Sequence, residues 1–134
     1  MNIYIFLLIV ISVYVLYQYY VEEKSQKDPM VIWLKEQMML VDPRASQLTF
    51  HKNNKSYSIN KKRIYLCLED KYGNYYSKNT LIYVSLHELA HCLNRKDTGH
   101  TPTFYAIFNQ LLEKATKLKI YNPLIDIPSD YCSY

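Results

Sequence analysis

Hydrophobic and polar positions fall into distinct blocks along the chain, and each block predicts an element. From residue 2 to residue 21 there is no charged side chain, and Ile, Leu, Val, Phe and Tyr fill most of the run. At ~1.5 Å per residue, a helix of that length crosses a hydrocarbon core of about 30 Å. A cleavable leader would need a basic start and a small-x-small site ahead of Glu22, and neither is present. Tyr17, Tyr19 and Tyr20 suit a membrane–water interface instead. A buried core helix would show a polar face. The expectation is a single-pass N-terminal anchor.

Residues 22–28 are polar and read as a linker. Asp28-Pro29 joins a capping carboxylate to a first-turn proline, opening an amphipathic helix over 29–40 that includes Trp33. Residues 48–50 and 57–59 flank the turn-like Lys52-Asn53-Asn54-Lys55, which predicts a hairpin, and 63–68 alternates as a further strand. Over 80–94 no Pro or Gly intervenes, Asn79 is the expected N-cap, and Ile82, Leu86, Leu89 and Leu93 form one apolar stripe. Asn94-Arg95-Lys96-Asp97-Thr98-Gly99 ends that helix in a polar turn. Thr101-Pro102 then opens another, to about residue 119, before an irregular tail. The order helix, strands, helix, helix gives an α+β fold. The residues beyond the anchor suffice for one small core and not two, so the limits are 1–21 for the anchor, 22–28 for the linker and 29–134 for the domain.

Charge adds little. Sixteen basic against twelve acidic residues, net +4, fit a solvated basic face beside a membrane, even at Lys61-Lys62-Arg63, and no specific nucleic acid is expected as a partner. Lys24 and Lys27 follow the span and no basic side chain precedes it, which places the domain on the cytosolic side. Cys67, Cys92 and Cys132 are odd in number, widely spaced and without a C-x-x-C, so buried thiols are expected rather than a disulfide framework or a zinc ribbon. High Lys, Asn, Ile and Tyr with few Ala and Gly fits an AT-rich genome.

The chemistry lies in Val84-Ser85-Leu86-His87-Glu88-Leu89-Ala90-His91-Cys92-Leu93, an HExxH arrangement. At about 100° per residue His91 lies ~40° round the helix from His87, with Glu88 ~60° further, so all three share the face opposite the apolar stripe. Two imidazoles then aim at one metal with a carboxylate beside them. A catalytic zinc takes three protein ligands, and His100, just after the polar turn, is the candidate third. Glu88, unable to reach the metal once both histidines bind it, is placed to take a proton from water and return it to a leaving amine. His51, in a Lys/Asn-rich stretch, reads as a surface residue. Tyr121 and Tyr131 could reach the cleft, but among 15 tyrosines they read as packing, and neither is assigned to catalysis.

With Gly99-His100-Thr101-Pro102-Thr103-Phe104 after the HExxH, the chain resembles the WLM and SprT-like zinc metallopeptidases of the minigluzincin type. It is most similar to small WLM-like metallopeptidases of large DNA viruses, over about residues 61–134. The resemblance implies a zincin-like domain, His87, His91 and His100 as ligands of Zn2+, Glu88 as catalytic base, Phe104 as the aromatic behind the third ligand, and a polypeptide substrate. By analogy with zincins, the strand at 64–68 would be the edge that binds substrate backbone. DNA-associated relatives add zinc fingers, partner motifs or basic tails, and none is present here, which argues against DNA repair. The expected function is thus a membrane-anchored metallopeptidase of a viral membrane or virion. The alternatives are a catalytically silent zinc-containing scaffold, which the intact Glu88 opposes, and a DNA–protein crosslink protease, which the anchor opposes.

Overall fold

The computed structural model describes residues 2–133. It is α+β, with four α-helices and a three-stranded sheet among the described residues. Helix α1 (Ile3–Gln26) carries no buried residue, and it is long and apolar enough to cross a membrane by length and composition. It does not stop at the end of the apolar run. Residues 22–26, expected as linker, continue the helix, and only Lys27 and Asp28 separate it from α2 (Pro29–Val41). The Asp28 side chain accepts from the backbone N–H groups of Met30 and Val31, so this cap and its proline lie where the sequence put them.

The expected hairpin is re-partnered. Strands β1 (Thr49–Asn53), β2 (Tyr57–Ile59) and β3 (Arg63–Cys67) are ordered β1-β3-β2, so β1 and β2 do not pair. β3 lies between them, parallel to β1 and antiparallel to β2. The tight connection is the one from β2 to β3, where Asn60 and Lys61 take φ of 53° and 55°. The strand at 64–68 is therefore the centre of the sheet, and β2 is the exposed edge. β1, at the other edge, is covered by α1 and α2.

Phe50, Ile64 and Leu66 turn inward from the sheet and meet Leu34 and Met38 of α2, with Ile82, Leu86 and Leu89 of α3 (Lys78–Leu93). These side chains are all at most 2% exposed. Burying each is worth about 1.5–3 kcal/mol, so the apolar stripe of α3 fixes the helix against the core and leaves its polar face directed outward. Ser77, not Asn79, caps α3, through its side chain and Thr80 N–H. Asn79 instead accepts from Asn122 N–H and donates to Asn122 O, tying the tail to the start of α3. Helix α4 (Pro102–Lys117) begins at the expected cap, Thr101, and buries Phe104, Phe108, Leu111 and Ala115. On the far side of the core the Lys78 ammonium lies 4.7 Å over the Trp33 ring, joining α2 to α3.

Two further expectations are corrected. Cys67 and Cys132 form a disulfide, leaving Cys92 as a free buried thiol. The pairing joins residues 65 apart because the tail folds back across the end of β3, a closure that spacing alone does not reveal. His51 is buried at 1% exposure, stacked on Tyr65 at 4.7 Å. Its ring is covered by the last turns of α1, where Ser25 Oγ lies 3.2 Å from His51 Nδ1, and Thr49 Oγ1 lies 2.9 Å from Nε2.

Candidate metal centre

α3 presents His87 and His91 one turn apart on its outward face, and the polar turn after the helix brings His100 over them. The three Nε2 atoms lie 3.2 Å (87 to 91), 3.2 Å (91 to 100) and 3.0 Å (87 to 100) apart. A tetrahedral zinc with Zn–N bonds of about 2.0–2.1 Å needs nitrogens roughly 3.3 Å apart, so the triad fits such an ion to within a few tenths of an ångström. Phe104 forms the floor. Its ring, fully buried, stacks on His91 at 4.3 Å and meets His87 and His100 at 5.0 Å each. Burial, then the neighbouring His91 and His100, pulls His87 down to about 4, and burial also lowers His91. Both are neutral at pH 7, the form that donates a lone pair to a cation.

Glu88 points beside the triad rather than into it. It is 6% exposed, and burial pushes its carboxyl up to about 7 against a smaller downward pull from the Ser58 hydroxyl, its hydrogen-bond partner. A carboxyl with that affinity for protons can both accept and release one near neutrality. The cleft over these groups holds about 610 Å³ and is walled on one side by β2 and its turn, through Ser56, Tyr57, Ser58, Asn60 and Lys61.

The loop that carries His100 is tied down at several points. Asp97 Oδ1 accepts from Asn94 Nδ2 at 2.6 Å and from Thr101 Oγ1 at 2.7 Å, which hold the Asp97 carboxyl below its usual range. Lys61 reaches across from the β2–β3 turn and donates to the carbonyls of Asn94 and Asp97, the latter at 2.7 Å. Gly99, at φ +82°, then turns the chain so that His100 faces back over the helix.

All four expected site residues therefore meet in one cleft. Tyr121 and Tyr131 do not join them. Tyr121 packs against Tyr83, and the Tyr131 hydroxyl donates to Cys67 O at 2.5 Å and lies 2.7 Å from Ser56 Oγ. Ser58, Lys61, Asn94 and Asp97 carry no sequence signal strong enough to single them out. The only local hint is the Asn94-x-x-Asp97 pattern at a helix end; Ser58 and Lys61 gain their places from the strand order.

No family model matches the chain, and no solved structure does. Curated viral proteins do. Protein 136R of Invertebrate iridescent virus 6 is 41% identical over 90 residues, 65% of this chain and 50% of its own length. Protein 042R of Invertebrate iridescent virus 3 is 44% identical over 89 residues, 66% of this chain and 55% of its own. Protein R325 of Acanthamoeba polyphaga mimivirus is 37% identical over 99 residues, 66% of this chain and 49% of its own. Each bears the name "uncharacterized protein". The chain spans about half the length of these relatives.

Proposed function

We propose that this protein is a membrane-anchored zinc-dependent metallopeptidase of a large DNA virus, with a zincin-like domain of the WLM/SprT-like type. The observation that carries the reading is the convergence of three imidazole Nε2 atoms at 3.0–3.2 Å beside a buried carboxyl that is not part of the triad. Among common metal sites that donor set suits zinc, with one position left for water. Bound there, zinc would polarise a scissile carbonyl and lower the pKa of water from 15.7 towards ~7. The chain's own residues do the rest. Glu88 accepts a proton from water and hands it to the leaving amine, and its value of about 7 suits both halves of that task. Ser58 holds the Glu88 carboxyl from the strand side and so fixes the direction in which it points. Phe104 backs all three imidazoles, limiting their swing. α1 provides the membrane anchor.

The test uses the full chain in detergent micelles. Elemental analysis is expected to give one zinc per chain in wild type and in Glu88→Gln. Cleavage of an unfolded protein is expected to fall by about 10²–10⁴-fold in Glu88→Gln, the usual worth of a general base. Zinc without turnover in wild type would leave a metal-stabilised scaffold, and absence of zinc would remove the centre itself.

A further inference from the structure

The C-terminal tail reaches the metal cleft through the end of β3. Backbone pairing between β2 and β3 ends in that direction at Tyr57 opposite Tyr65, and at Cys67, two residues on, side chains take over. The Cys67 N–H donates to Ser56 Oγ at 2.9 Å, and the Cys67 carbonyl accepts from the Tyr131 hydroxyl at 2.5 Å. With the Tyr131 proton committed to Cys67, it is Ser56 that donates across the 2.7 Å between the two hydroxyls. Ser56, Tyr57 and Ser58 wall the cleft, and Ser58 holds Glu88. One side chain of the tail therefore fixes the start of the strand that faces the carboxyl.

Cys132 keeps Tyr131 in place. It is bonded to Cys67, and its N–H donates to the Tyr76 hydroxyl at 3.0 Å. Its backbone stands at φ 48°, in the left-handed region, which a residue with a β-carbon leaves unless its surroundings hold it there. Between Asn122, tied to Asn79, and Tyr131 the chain forms no helix or strand, and residues 128–130 are exposed. Such a segment stays ordered through its attachments. Of the bonded pair, Cys67 is buried and Cys132 only half-buried, so Cys132 presents the more open side to an incoming thiolate.

We propose that Cys67–Cys132 is a redox latch on the metal cleft: closed, it makes Tyr131 hold Ser56 and the start of β2 in place for substrate, and opened, it weakens substrate binding. This regulates the peptidase site proposed above and rests on that reading. The reductant is a dithiol. One of its thiolates attacks the Cys132 sulfur, the S–S bond breaks, and Cys67 leaves as a thiolate that takes up a proton. The second thiol then displaces Cys132 from the mixed disulfide, so two electrons pass to the protein and the dithiol ends as a disulfide. Once released, Cys132 relaxes out of its left-handed backbone and Tyr131 withdraws with it. The His100 loop is held by Asp97 and Lys61 through bonds that do not involve the tail, so the metal stays.

The experiment takes the full zinc-loaded chain in detergent micelles, either oxidised or reduced with a dithiol that is removed under inert gas, with equal zinc content in both. Reduction is expected to raise KM for an unfolded polypeptide about three- to tenfold with kcat little changed, the worth of one or two lost hydrogen bonds. Cys132→Ser is expected to show the raised KM with or without dithiol. Tyr131→Phe, which keeps the disulfide, is expected to show it while still oxidised. Hydrogen exchange read by mass spectrometry supplies a measure that needs no turnover: amides of the β2 segment are expected to exchange about tenfold faster on reduction, while those of α3 stay protected. A KM indifferent to reduction overturns the latch and leaves the peptidase reading standing. Faster exchange on reduction, with no cleavage in either state, supports the latch and overturns the peptidase reading instead.

Discussion

At the scale of single residues, burial tunes one group in the site, Glu88, and one outside it, His51. Among the described residues, Ser58 is the polar side chain that draws the Glu88 carboxyl down from the value that burial alone would give. Ser58→Ala therefore raises the pH at which Glu88 loses its proton. The expected result is an acid limb of kcat/KM displaced to higher pH with zinc content unchanged, read from a pH–rate profile. Away from the site, His51 is held below its ordinary 6.5, chiefly by burial, with Glu22 pulling the other way and Arg63 adding to the fall. The unfolded chain takes up that proton near 6.5 and the folded chain only at lower pH, so the folded state is favoured fully above 6.5 and loses stability as pH drops below it. His51→Gln removes this dependence. Urea denaturation of both proteins is expected to show curves that converge below pH 6.5, and parallel curves would count against a neutral buried His51.

At the scale of elements, the loop between α3 and α4 matters as much as the helices. Asp97 is its main knot, accepting from Asn94 and Thr101. Asp97→Ala frees His100 while leaving His87 and His91 on the helix. Zinc affinity, measured by competition with a chelator, is expected to fall about tenfold, the lower end of what losing outer-sphere support costs. Much of α3 and α4 was legible because their signals are local: the stripe of Ile82, Leu86 and Leu89, the HExxH spacing, and Thr101-Pro102. The sheet was not. Nothing near 48–59 shows that β1 will pair with β3 across the intervening strand, since that choice is made by burial of Phe50, Ile64 and Leu66 against α2 and α3. The edge beside the cleft, and with it Ser58 and Lys61, could only emerge once the order was known. Residues 22–26 read as linker because their polarity masks a helix whose Glu22 and Ser25 face the sheet at i, i+3 spacing. Asn79 and Ser77 are both good caps, and Asn79 lost that role to its two bonds with Asn122.

At the scale of the molecule, the Cys67–Cys132 bond closes a loop with a sequence separation of 65 and clips the tail across the Cys67 end of β3. Closing a loop of that size restricts the unfolded chain by about 4 kcal/mol, so Cys132→Ser is expected to lose stability of that order in non-reducing denaturant titrations. Disulfides persist in oxidising surroundings, whereas Lys24 and Lys27 beyond the span favour the cytosolic side. Alkylation in intact membranes, with denaturation afterwards, separates the two. One reactive thiol, Cys92, marks an oxidised domain, and three mark a reduced one. The molecule also contains its own optical probe. Trp33 is the sole tryptophan, and it lies under the Lys78 ammonium where α2 meets α3. Its emission will report separation of α2 from α3, the helix that carries His87, Glu88 and His91. One fluorescence titration can thereby tell when the helix bearing the histidines loses its support from α2.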